Sequence, residues 1–252
     1  MNLSDKTILI TGGGSGIGLA LAHAFSGRGS HVLICGRREE PLRAAAEAIP
    51  GLEYFLCDVA DDVDRRRLFE WAGERRSPVN VLVNNAGIQR PINLLEGTRD
   101  LAHAENEVTT NLLAPIHLTG LFIPHLMRVA SEGGEAAIVN ITSGLAFVPL
   151  AGVPVYCATK AALHSYTESL RWQLRDTGVA VFEAAPPLVE SELHMGRQVV
   201  GMALSSEEAA RVTLAGMEEE RYFIRIGRAD WFWSLSHQNP EGAVAAFNGN
   251  MG

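Results

Sequence analysis

Seven short apolar runs, separated by helical patterns, constrain this chain more than any other feature. The runs lie at 6–11 (KTILIT), 31–36 (HVLICG), 53–59, 79–87, 135–143, 179–187 and 221–227. They are apolar throughout rather than alternating, the pattern of strands buried on both faces. Helical stretches fill the intervals at 16–29, 39–50, 61–76, about 100–130, 154–176 and about 205–220. Such alternation specifies right-handed βαβ crossovers and a parallel sheet with helices on both sides. No linker, low-complexity tract or internal repeat divides residues 1–252. The expected fold is therefore a single α/β domain, a doubly wound parallel sheet of about seven strands.

Composition narrows the function. Apolar residues make up 47 % of the chain, and the formal net charge is −8. The first allows a real core; the second argues against a nucleic-acid partner, because phosphate binding needs a basic face. The cluster DRRRLFE at 64–70 sits among acids and reads as a solvated helix face. The start, MNLSDKTILITGGG, lacks the features of a signal peptide. No unbroken apolar run reaches the ~18 residues of a membrane span. The greasiest segment, NLLAPIHLTGLFIPHLM, is interrupted by Pro115, His117, Pro124 and His125. Cys35, Cys57 and Cys157 form no metal-spaced pair and suggest reduced thiols in a cytoplasmic protein. The histidines lack metal spacing, so no metal site is expected. Among them His194 alone is a candidate substrate contact, the rest being surface or core residues.

The first strand runs into a glycine-rich turn, TILITGGGSGIGLALA. Gly12, Gly16 and Gly18, with Ser15 and Ile17 between them, let the backbone approach a pyrophosphate. The following helix presents free N–H groups and partial positive charge to it. The spacing G-x-x-x-G-x-G differs from the commoner dinucleotide fingerprint, and no Lys-Ser/Thr ending marks it as a P-loop. The second strand ends in ICGRRE, with Gly36 where a ribose-binding carboxylate would stand, then Arg37 and Arg38. A guanidinium fork matches a phosphate dianion, so NADP(H) is favoured, with NAD(H) possible. Asp58, with Val59 after it, is a candidate acceptor for the adenine amino group, or else a helix N-cap for 61–76.

Five elements then follow in order: TGGGSGIG, NNAG (84–87), Asn111, Ser143 and YCATK (156–160). With them the chain resembles the classical short-chain dehydrogenase/reductase family over roughly residues 4–227. TSGLAF and PVYCATKAALHS are most similar to its DltE-type subgroup. The resemblance implies a Rossmann-type fold. Tyr156 and Lys160, four apart on a helix, share a face. The ammonium, joined by the positive charge of an oxidised nicotinamide, is expected to lower the phenol pKa from its usual ~10. By resemblance Lys160 donates to the nicotinamide ribose, Ser143 holds the substrate oxygen and Asn111 anchors a proton-relay water. Thr142 is a rival for the serine role, but Ser143 lies at the family's distance from Tyr156. Asn85, Ala86 and Gly87 are expected to line the ribose side, and Asn84 to be either a site residue or a satisfied core polar group.

After the sixth strand come Pro186, Val189 and Ser191, where the family binds the carboxamide. Pro187 replaces the family's usual glycine and stiffens that turn. Segment 188–204 should cover the substrate. The aromatic tail, 228–252, with Trp231, Phe232 and Trp233 in succession, should pack on its own domain or a second subunit, or close over substrate or touch lipid. The implied activity is an oxidoreductase interconverting a ketone or aldehyde and an alcohol, as a homodimer or homotetramer. A non-catalytic dinucleotide-binding sensor or scaffold is the alternative.

Overall fold

Strands without a polar face need cover on both sides; the five inner strands receive it, while the edge strands Glu53–Leu56 and Phe223–Arg225 are partly exposed. The computed structural model describes residues 1–75, 77–189 and 203–249. Seven parallel strands run β3-β2-β1-β4-β5-β6-β7 across one sheet. They are β1 Thr7–Thr11, β2 His31–Gly36, β3 Glu53–Leu56, β4 Val81–Asn84, β5 Ala136–Ile141, β6 Val179–Ala185 and β7 Phe223–Arg225. Helices α1 (Gly16–Ser26), α2 (Glu39–Ala48) and α7 (Ser206–Glu218) cover one face. Helices α3 (Asp62–Gly73), α5 (Ala114–Ser131) and α6 (Pro154–Leu174) cover the other. The period of two decides which side chain goes where: Ile8 and Ile10 join the first core, Leu9 the second. Phe25, Phe122 and Phe182 are fully buried, each stabilising the fold by roughly 1.5–3 kcal/mol.

Strand order reverses between β1 and β4, and a crevice forms outside the carboxyl ends at such a switch point. The glycine turn leaves β1 there, NNAG leaves β4, and Thr142 and Ser143 leave β5. The topology thus gathers distant motifs at one end of the sheet.

Two expectations are corrected. The long helix read over about 100–130 is segmented: a 3-10 stretch Arg99–His103, a short α4 (Ala104–Val108), a π turn Thr109–Leu113 and then α5. Residues Ala104–Ser131 are long and apolar enough, by length and composition, to cross a membrane. Leu118, Phe122, Leu126 and Val129 spend that apolarity on the sheet core. Lastly, the basic cluster on α3 is not wholly solvated. Arg66 and Arg67 are exposed beside Asp62 and Asp64. Arg65 shares the buried face of Leu68 and Ala72; its guanidinium donates to the Val59 carbonyl (2.6 Å) and meets His117 Nδ1 (3.0 Å).

The aromatic tail packs on its own domain as α8 (Arg228–Gln238) and α9 (Pro240–Gly249). Phe232 lies against Val148 and Phe247. The Asn248 amide clamps the 149–151 backbone, accepting from Ala151 N–H (2.7 Å) and donating to the Pro149 carbonyl (3.0 Å). All three cysteines are free and buried.

Candidate active site

Steric closeness explains the glycine turn. Gly12 has φ +67°, and a Cβ there would lie 2.9 Å from Ala86 Cα. At Gly18 a Cβ would collide with the Gly12 carbonyl oxygen and stand 2.5 Å from Asn85 Nδ2. Asn85 binds the turn to β4: its Nδ2 donates to the Thr11 (2.9 Å) and Gly12 (3.2 Å) carbonyls. Thr11 Oγ1 in return accepts from the Asn85 and Ala86 N–H groups, each at 3.0 Å. The first turn of α1 has no acidic residue and no side-chain cap, so its N–H groups stay available to an anion. Arg38 reaches the Ser15 hydroxyl at 3.4 Å. A turn emptied of Cβ atoms, a helix N-terminus and two arginines fit a dinucleotide.

At the other end, Pro154 in the first turn of α6 starts the helix that carries Tyr156 and Lys160. Both are buried. The Lys160 ammonium donates to the Ile141 carbonyl at 2.8 Å and stands 5.7 Å from the centre of the Tyr156 ring. Burial pushes its pKa down to about 8. Burial also raises the Tyr156 phenol well above its ordinary value, opposed by a hydrogen bond with the Ser143 side chain. Desolvation is the largest influence on the phenol, and the amine is itself buried and turned to a backbone carbonyl. Ser143 Oγ accepts from Leu145 N–H (3.1 Å), which fixes its rotamer at the end of β5.

Asn111 is fully buried in the π turn, a feature frequent at functional sites. Its Oδ1 accepts from Ile88 N–H and its Nδ2 donates to the Ile88 carbonyl, both at 2.8 Å; Nδ2 also donates to Thr159 Oγ1 at 3.2 Å. Both donors are engaged, so Asn111 clamps the strip after NNAG onto α6. Between these ends runs a cleft of about 930 Å³.

The short chain dehydrogenase family model matches residues 6–199. The chain belongs to the short-chain dehydrogenases. It is 47 % identical over 91 % of both chains to the uncharacterized oxidoreductase DltE of Bacillus subtilis (strain 168), which puts it in the DltE-type subgroup. A short-chain dehydrogenase of Burkholderia cenocepacia J2315, solved in complex with NADP, shares the fold at TM-score 0.84 and 25 % identity over 98 % of both chains. A second, from Burkholderia phymatum in complex with NAD, superposes at TM-score 0.85 over 96 % of both chains with 22 % identity. A nicotinamide dinucleotide is the cofactor that this family setting and the turn support.

Within this short-chain dehydrogenase, the cleft is lined by most of the expected residues. Gly12, Ser15, Gly16 and Ile17 form its floor, with Arg37, Arg38 and Val59 at one end. Asn85, Ala86 and Gly87 form a wall, and Ser143, Tyr156, Lys160, Pro186 and Val189 close the other end. Gly18 acts from behind the turn, as its contacts require. Asp58 Oδ1 accepts from Ala60 N–H (3.0 Å), and the cap of α3 is Asp61, so the alternative capping role falls to a neighbour. Asn84 is a buried core amide whose Nδ2 donates to Asn140 Oδ1 (2.8 Å) and Thr119 Oγ1 (3.3 Å), while its Oδ1 has no hydrogen-bond partner. Ser191, His194 and most of segment 188–204 lie outside the described residues.

Sequence reasoning missed two groups. His164 sits one turn beyond Lys160, and its Nδ1 is 2.8 Å from a carboxylate oxygen of Glu183, which is fully buried on β6. Glu183 also accepts from Thr142 Oγ1 at 2.7 Å. A lone acid within VAVFEAA was the available signal. The second group is Arg90, Leu150, Val153, Phe232 and Phe247, which line the same cleft from four separate segments. Of these, only Phe232, in the aromatic run of the tail, stood out in the sequence.

Proposed function

We propose that this short-chain dehydrogenase interconverts a carbonyl and an alcohol with NADP(H), Tyr156 moving the proton. The observation that carries the reading is the convergence of Ser143, Tyr156 and Lys160 at one end of a cleft floored by the glycine turn. The bound nicotinamide supplies or takes the hydride. Ser143 and the Tyr156 hydroxyl orient the substrate oxygen and stabilise charge developing on it. In reduction the proton leaves the phenolic oxygen for that oxygen; in oxidation it returns. Lys160, one turn away, keeps positive charge beside the phenol and favours its ionised form. Asn111 serves by fixing Ile88, and with it the wall that faces Lys160 across Gly87.

Arg37 and Arg38 line the cleft where a ribose-binding carboxylate is missing, and this supports the 2′-phosphate form of the cofactor. Three buried free thiols suit a reducing, cytoplasmic setting. The family resemblance adds a homodimer or homotetramer through α5 and α6, on which Met127 and Trp172 are exposed.

The deciding experiment is Tyr156→Phe, followed by NADPH absorbance against a panel of aldehydes and ketones. Turnover is expected to fall at least ~100-fold, the scale of one general acid, with NADPH still bound. Turnover within a few-fold of the parent refutes the mechanism. Tight NADPH binding by the parent, with no carbonyl reduced, favours the sensor reading instead.

A further inference from the structure

The charge of the cleft opposes that of the chain. Against a net charge of −8, the cleft is lined by Arg37, Arg38, Arg90, Lys160 and Arg228, with no Asp or Glu among the described lining residues. Arg37 and Arg38 stand at the glycine-turn end, and the Lys160 ammonium is held by the Ile141 carbonyl. Arg228 stacks over Trp231 at 5.8 Å. Arg90 has no such duty.

Arg90 is mounted on a rigid strip. Two residues before it, both backbone groups of Ile88 are held by the Asn111 amide. Two residues after it, Ile92 N–H donates to the Gly152 carbonyl at 3.1 Å. Its Nε is buried without a hydrogen-bond partner, and no described carboxylate forms an ion pair with its guanidinium. Glu107 is the acid that feels it. That carboxyl is fully buried, and burial lifts its pKa to about 7 against the pull of Arg90. Neither oxygen of that carboxyl hydrogen-bonds the guanidinium.

A cation on a partly dry wall without a counter-ion is costly unless a ligand supplies one. Low-dielectric walls also focus its field on whatever enters the cleft. Leu145, Leu150, Val153, Phe232 and Phe247 give the same cleft an apolar lining. We propose that Arg90 is a specificity-determining residue that receives an anionic group of the substrate, making the preferred substrates oxo compounds with a short apolar body and a carboxylate, sulfonate or phosphate. The planar fork of the guanidinium suits two oxygens of such a group. The inference rests on the carbonyl–alcohol reading above and names its substrate class.

The test compares 5-oxopentanoate with its methyl ester, following NADPH consumption by the parent, Arg90→Met and Arg90→Lys. Calorimetric titration of pentanoate and butanesulfonate into each protein with NADPH present adds a readout that needs no turnover. The parent is expected to prefer the oxo acid over the ester at least 10-fold in kcat/KM. Arg90→Met should cut kcat/KM for the acid at least tenfold more than for the ester, chiefly through KM, with Arg90→Lys intermediate. Anion binding should vanish in Arg90→Met. A parent that reduces acid and ester alike, or equal losses on both in Arg90→Met, overturns the anion site while leaving carbonyl reduction intact. Arg90-dependent anion binding with neither compound reduced keeps the site and counts against the redox reading. Absence of anion binding to the parent overturns the proposal outright.

Discussion

Removing His164 tests how far the buried Glu183 depends on its partner. Glu183 is fully buried, accepts from Thr142 Oγ1 at 2.7 Å and lies 2.8 Å and 3.0 Å from His164 Nδ1 through its two oxygens. His164 Nε2 is 3.8 Å from Glu168, and Arg171, on the same helix, donates to the Val181 carbonyl at 2.9 Å. His164→Ala strands the carboxylate, and breaking a buried pair in this way costs about 3–5 kcal/mol. For a chain of this size that corresponds to roughly 6–20 °C in Tm, at about 2–4 °C per kcal/mol. The double variant His164→Ala/Glu183→Gln strands no charge and should recover much of the loss, as urea unfolding of the four proteins in one cycle would measure. The pair also sets a pH dependence. The hydrogen bond to Glu183 is the largest cause raising the His164 pKa above its usual value. Its stabilisation is therefore fully present below the unfolded pKa of ~6.5 and is lost as pH rises through the higher folded value. The gap between parent and Glu183→Gln should be largest near pH 6 and shrink toward pH 9. If His164→Ala lies within about 1 kcal/mol of the parent, or the double variant is no better than the single, the paired-charge argument fails.

Three further outcomes follow from the site. Gly18→Ala would force a methyl against the Gly12 carbonyl and Asn85 Nδ2; the strain, about 1–3 kcal/mol, should weaken NADPH binding in a fluorescence titration, and unchanged affinity would refute the packing role. Arg37→Ala should lose at least tenfold more affinity for NADPH than for NADH, while equal losses would reassign the 2′-phosphate contact. Lys160 titrates at about 8 in the folded protein and near ~10.4 when unfolded. The unfolded chain thus binds more protons between these values, and stability gains as pH rises from about 8 to 10. Lys160→Met should lack that gain in urea unfolding, besides losing turnover; parallel pH profiles would mean that the ammonium is not desolvated.

Local and periodic features were legible from the residues alone. Seven strand runs, the Cβ-free turn at Gly12 and Gly18, and the one-turn spacing of Tyr156 and Lys160 depend on neighbours a few positions away. Their physics is local sterics and the repeat of strand and helix, so the order of residues suffices. Tertiary structure alone decided which polar groups lost their water and what they met instead. Burial desolvated the Tyr156 phenol, turned the Asn111 amide onto Ile88 and hid Arg65 inside a basic cluster. It joined His164 to Glu183 and laid Phe232 beside the 144–151 backbone. Each of these depends on segments far apart in the chain, because solvation and charge are properties of the space around a group rather than of its place in the sequence.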